Sequence, residues 1–88
     1  MPAIPAWRSL LFVAANNEKL VGKAATSSAD AVILDLEDAI AVDAKPVARA
    51  SVSAAVAALR DAGKGVVVRI NAPWRLAIAD LDACVRDG

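Results

Sequence analysis

Three short aliphatic runs, at residues 9–13, 29–36 and 66–70, alternate in this chain with three segments of helical character, joined by short connections. That alternation constrains the fold more than any other feature. Strands that take turns with helices pair in parallel and are linked by right-handed crossovers. The third run, Val66-Val67-Val68-Arg69-Ile70, is continuous and mostly β-branched, which suits a strand covered on both faces. Asn16 and Asn17 are candidate N-caps for a first helix reaching about Ser28, with Leu20, Val21, Ala24 and Ala25 on one apolar face. Asp43 is the expected N-cap of a second helix reaching about Ala62. Pro46 then falls in its first turn, where a missing N–H costs little. Val52, Val56 and Leu59 share one side of that helix, and Gly63 and Gly65 flank its end. A third helix is expected from Leu76 to Val85, and residues 1–7, with Pro2 and Pro5, read as an extended arm.

The β-α-β-α-β-α order has no internal repeat or low-complexity linker, so residues 1–88 are read as one unit. Two architectures accommodate it: a doubly wound sheet, or part of a (β/α)8 barrel. A complete barrel needs about 250 residues, so three βα units would be less than half of one. The chain is 58% hydrophobic, mostly through alanine, with two Trp, one Phe and no Tyr. Its mean hydropathy of +0.49 is high for so small a domain. Small domains bury a limited share of their surface, so apolar faces are expected to need cover from another chain or from more of this one.

Charge and residue content exclude several function classes. Ten Lys and Arg balance ten Asp and Glu, with no basic stripe for nucleic acid and no cationic cluster for an anionic membrane. No apolar run approaches the length of a membrane span. Arg8 followed by residues 10–15 imitates a signal peptide, but the apolar core is too short. Cys84 is the single cysteine, which excludes an internal disulfide, fits a reducing compartment and reads as a packing residue. Without histidine there is no His-based triad and no His metal ligand. The four glycines form no nucleotide-binding pattern.

The residues with chemical potential lie at the ends of the second and third strands. In Leu34-Asp35-Leu36-Glu37-Asp38, strand alternation puts Asp35 and Glu37 on one face and the leucines on the other. Parallel α/β folds place their active sites at the carboxyl ends of strands. These carboxylates could hold a hard cation, orient a cationic group, or simply be solvated. Arg69 follows three valines, and an arginine buried without a partner is very unfavourable. The neighbouring strand lies about 4.8 Å away, so Arg69 is expected to pair with the acidic cluster. Held in that way, it could still offer free N–H groups to a ligand carboxylate. The plainer alternative is a structural ion pair. Trp74, after Pro73, is placed either to wall a pocket or to cover a rim.

Several segments together resemble the citrate lyase β-subunit-like (HpcH/HpaI aldolase) family. Arg8-Ser9-Leu10-Leu11-Phe12-Val13 is similar to its first strand. Residues 29–39, with Ile33-Leu34-Asp35-Leu36-Glu37-Asp38, look like its second-strand signature, the most specific part. Asp43-Ala44-Lys45 with Ala48-Arg49 is similar to its next helix, and Val68-Arg69-Ile70-Asn71 with Pro73-Trp74 to its third strand and loop.

The resemblance implies a (β/α)8 TIM barrel of which residues 1–88 are the N-terminal part. It implies a cytoplasmic, commonly homo-oligomeric, Mg2+-dependent carbon–carbon lyase acting on small carboxylates or CoA thioesters. In that reading Glu37 and Asp38 are catalytic-site residues that support the site near the metal's waters, and Arg69 binds a substrate carboxylate or carbonyl oxygen. The family's two metal-binding carboxylates belong to later strands, so no direct metal ligand is expected here. The first loop, Ala14-Ala15-Asn16-Asn17-Glu18-Lys19, departs from the family's Pro-Gly followed by arginines and keeps only Lys19 as a cation for CoA. The competing expectation is a non-catalytic truncated module that associates with itself or with a longer homologue; a stand-alone flavodoxin-like domain is a third.

Overall fold

The computed structural model describes residues 6–85. The arm expected over residues 1–7 lies outside them except for Ala6 and Trp7. Strand β1 (Leu10–Ala14), helix α1 (Glu18–Thr26), strand β2 (Ala31–Asp35), a 3-10 turn (Val42–Ala44), helix α2 (Lys45–Asp61), strand β3 (Gly65–Arg69) and helix α3 (Trp74–Cys84) follow in order. The sheet is parallel, with strand order β1-β2-β3. The alternating pattern in the sequence therefore gives the expected βα units, with strand boundaries shifted by one or two residues.

Local signals explain most element ends. The Asn17 side chain caps α1 by accepting a hydrogen bond from the Leu20 N–H at 3.1 Å. Pro46 sits in the first turn of α2. Gly63 follows the helix with φ +81°, a conformation that costs a residue with a side chain about 1 kcal/mol or more. Asp43 is not the N-cap of α2: it lies in the 3-10 turn, and the capping position is Ala44, which has no side-chain oxygen. The turn itself supplies the entry to the helix, so no cap is needed to start it. Helix α3 begins at Trp74, two residues before the expected Leu76, because its first turn forms directly after Pro73.

The helices pack against the sheet and side by side, α1 on α2 and α2 on α3. Between helices and sheet lies a core built from Val13, Val32, Leu34, Leu36, Val52 and Leu59. Val21 and Ala24 supply the inner face of α1, whereas Leu20, expected on that face, is 43% exposed. The opposite side of the sheet carries the alternate strand residues. There Leu10, Phe12 and Val67 are 49%, 55% and 37% exposed. Trp7 lies over one end of this open side, against Gly65, where an added Cβ would collide with the indole.

Candidate functional site

Register brings the site together. Asp35 is the last residue of β2 and is paired with Arg69, the last of β3. Both point to the open side of the sheet at its carboxyl end. The Arg69 guanidinium meets the Asp35 carboxylate in a two-pronged contact, Nε to Oδ1 at 2.9 Å and Nη2 to Oδ2 at 2.6 Å. Asp35 is 2% exposed and also accepts the backbone N–H of Glu37 at 2.8 Å and of Ala39 at 3.0 Å. Each carboxylate oxygen therefore takes one guanidinium and one backbone N–H. The hydrogen bond from Arg69 is the main reason that the Asp35 carboxyl falls from 3.8 to about 2; the two backbone N–H groups add to it against the cost of burial. Arg69 is correspondingly raised, chiefly by its hydrogen bond to Asp35.

Glu37 and Asp38 stand further out. Glu37 Oε1 is 3.9 Å from Arg69 Nε and Asp38 Oδ2 is 3.7 Å from Arg69 Nη1, both too long for hydrogen bonds. Asp38 is 77% exposed. The other oxygen of Glu37 accepts the Ala72 N–H at 3.2 Å and so reaches the loop after β3. The Phe12 ring from β1 lies beneath the guanidinium, 4.9 Å from Cζ to centroid. One face of Arg69 is thus covered and one edge is held by Asp35. Its Nη1 protons and the second Nη2 proton find no hydrogen-bond acceptor among the described residues. The arrangement is a fixed cation with an available edge, suited to a planar anion such as a carboxylate.

The expected association of Arg69 with Asp35, Glu37 and Asp38 is therefore present, with Asp35 as the direct partner. Trp74, at the start of α3, is 82% exposed. Two further sets of residues escaped the sequence reading. Phe12 gave no signal beyond sharing a strand face with Ala14. The second set is a buried polar chain below the site. Lys45, 7% exposed, donates to the Leu36 and Glu37 carbonyls at 3.0 Å each and to Asn71 Oδ1 at 2.5 Å. Asn71 donates its backbone N–H and its side-chain amide to Asp80 Oδ2 at 2.8 and 2.7 Å, and Arg49 Nε donates to Asp80 Oδ1 at 2.9 Å. Burial pushes the Asp80 carboxyl up, but the bonds from Asn71 and Arg49 together outweigh it and hold the group below its ordinary value.

Cation binding by these residues does not fit. Among the described residues no cluster of three acidic or sulfur ligands is placed to hold a metal. Both oxygens of Asp35 are engaged by N–H donors, and Glu37 and Asp38 already flank a guanidinium. An open groove of about 450 Å³ between α1 and α2 is lined largely by alanine and glycine and contains none of these side chains.

The model of the HpcH/HpaI aldolase/citrate lyase family matches residues 8–88, nearly the whole chain. The chain belongs to that family. Its parallel strands alternating with helices are the N-terminal βα units of the family's TIM-barrel type of fold. Among curated relatives it is similar to a (3S)-malyl-CoA thioesterase of Cereibacter sphaeroides, with 37% identity over 65 residues. That match takes in 74% of this chain and 23% of the relative, so the chain spans about a quarter of the family member it resembles. The match takes in the strand ends that supply Asp35, Glu37 and Asp38 and the third strand that supplies Arg69.

Proposed function

We propose that these residues are the first three βα units of a carbon–carbon lyase or aldolase acting on a small carboxylate or its CoA thioester, with Arg69 as the group that grips the carboxylate or carbonyl oxygen. The observation that carries this reading is the Arg69 guanidinium, held on one edge by Asp35 and on one face by Phe12, with N–H donors left over at the carboxyl end of the strands. Cleavage of a carbon–carbon bond beside a carbonyl develops enolate charge, and a fixed guanidinium stabilises charge of that kind without having to reorganise. Glu37 and Asp38 shape the polar wall around it. The relative's substrate, a malyl thioester, belongs to the proposed class. Lys19, in the first turn of α1, is the one cation of residues 14–19 available to a CoA phosphate.

Magnesium is part of this proposal through the family resemblance alone. Its direct ligands would come from outside the described residues. A cytoplasmic setting and a homo-oligomer complete the reading; the lone cysteine agrees with the first and the exposed Leu10, Phe12 and Val67 with the second. The test has two arms. The reading frame after codon 88 is expected to continue and to encode two further strand-end carboxylates. The purified 88-residue chain is expected to cleave no malyl-CoA with magnesium present; robust cleavage would overturn the reading.

A second reading is favoured by the open side of the sheet, whose apolar residues lie bare beside two strand edges that have no partner strand among the described residues. In it the chain is a non-catalytic module that covers this surface with a second copy or a longer homologue. A stable monomer in sedimentation, with no partner added, would exclude it.

A further inference from the structure

Beneath Arg69 and its carboxylates lies a polar chain that the proposed chemistry does not use directly. Lys45 opens α2 and is almost fully buried, yet no carboxylate pairs with it among the described residues. Its acceptors are neutral oxygens from two different loops. Leu36 and Glu37 belong to the turn after β2; Asn71 belongs to the loop after β3. An ammonium has three protons to place, and Leu36 O, Glu37 O and Asn71 Oδ1 take one each. Asn71 is in turn fixed by Asp80 of α3, and Asp80 by Arg49 of α2. The ammonium thus reads the positions of both loops at once.

Burying a lysine is costly, and a methionine would fill the same volume with no polar atom to satisfy. What the ammonium supplies and a methionine does not is a fixed separation between the backbone that carries Glu37 and Asp38 and the backbone that follows Arg69. The bond from Ala72 N–H to Glu37 Oε2 spans the same gap. Losing the ammonium would free the carbonyl of Glu37 and slacken that contact.

We infer that Lys45 is a positioning residue: its ammonium, with Asn71 and Asp80 behind it, sets the distance between the turn bearing Glu37 and Asp38 and the loop after Arg69. This rests on the proposal that Arg69 binds a carboxylate, but its test separates the two. In the 15N-labelled 88-residue chain, Lys45→Met is expected to speed amide exchange at Ala72 and Glu37 by about tenfold, the scale of one lost hydrogen bond to a charged group. The Arg69 Nε–H resonance is expected to move, while amides inside β2 and β3 keep their shifts. Malate titrated as the probe is expected to bind the variant about tenfold more weakly. If exchange at Ala72 and the Arg69 resonance match the unmutated chain, the inference fails, whatever malate does. If the unmutated chain binds no malate, the carboxylate reading fails, while the exchange and resonance data still judge Lys45. Should Lys45→Met fail to fold, the unmutated chain decides: the Lys45 ammonium protons must persist against exchange with water and show contacts to Asn71, and their rapid loss would overturn the inference. Asp80→Asn, which weakens the hold on Asn71, is expected to reproduce the Ala72 effect in smaller measure.

Discussion

Replacing Asp35 by Asn keeps the shape of the side chain and removes what the site is built on. All four contacts to its carboxylate are donors: the N–H groups of Glu37 and Ala39, and Nε and Nη2 of Arg69. An asparagine can turn its oxygen to one pair of donors, but its NH2 group then faces the other pair. The charge contribution can be sized from the carboxyl's position, 3.8 in the unfolded chain and about 2 in the folded one. That difference corresponds to about 2 kcal/mol for a group 2% exposed. Leaving donors opposed by an NH2 adds about 1 kcal/mol, so Asp35→Asn is expected to cost about 3 kcal/mol at neutral pH, a large part of a small domain's stability. The sign with pH follows from the lowered value. Asp35 contributes its full share above about pH 3.8 and loses it as pH falls through about 2. Urea unfolding followed by far-ultraviolet circular dichroism, on both proteins at pH 7 and near pH 2, measures this directly. The gap should be about 3 kcal/mol at pH 7 and shrink by about 2 kcal/mol in acid. A gap below about 0.5 kcal/mol at pH 7, the size of an ordinary surface substitution, or one that does not shrink in acid, would refute the argument.

Three other substitutions bear on the scaffold. Asp80→Ala leaves Arg49 and both N–H groups of Asn71 without their acceptor in a buried setting, and should cost about 3 kcal/mol in the same urea assay. Gly63→Ala places a side chain at φ +81° and should lower stability by about 1 kcal/mol, read as a fall in the thermal midpoint. Gly65→Ala should displace the Trp7 indole from the open side of the sheet, read as a red shift of Trp7 emission in a Trp74→Phe background.

Much of this arrangement could be read from residue order, because the decisive contacts are between adjacent parallel strands. Once residues 31–35 and 65–69 are taken as neighbouring strands, Arg69 has to lie beside Asp35, and the cost of burying it alone requires the pair. Local signals were equally direct at Asn17, Pro46 and Gly63, where a single residue's chemistry fixes an element end. The polar chain below the site was not read, because it joins residues far apart in sequence and on three elements. Lys45 and Asn71 are 26 residues apart, Arg49 and Asp80 are 31. A trace of it was nevertheless present: Lys45 stands in phase with Ala48, Val52, Ala55 and Leu59 on the buried stripe of α2, and Asp80 in phase with Ala77 on α3. A charged residue at the inward phase of a helix is a marker for a buried partner. Asp43 misled because it has the side chain of a cap but sits in the turn that precedes the helix.

The guanidinium edge left over by Asp35 and Phe12 can be put to the test with one titration. Malate added to the 15N-labelled chain should shift the Arg69 Nε–H resonance in a saturable way, and Arg69→Gln should abolish the binding while leaving the strand amides in place. A resonance that stays still up to high malate, or an affinity that survives Arg69→Gln, would mean that Arg69 and Asp35 form a structural ion pair and nothing more.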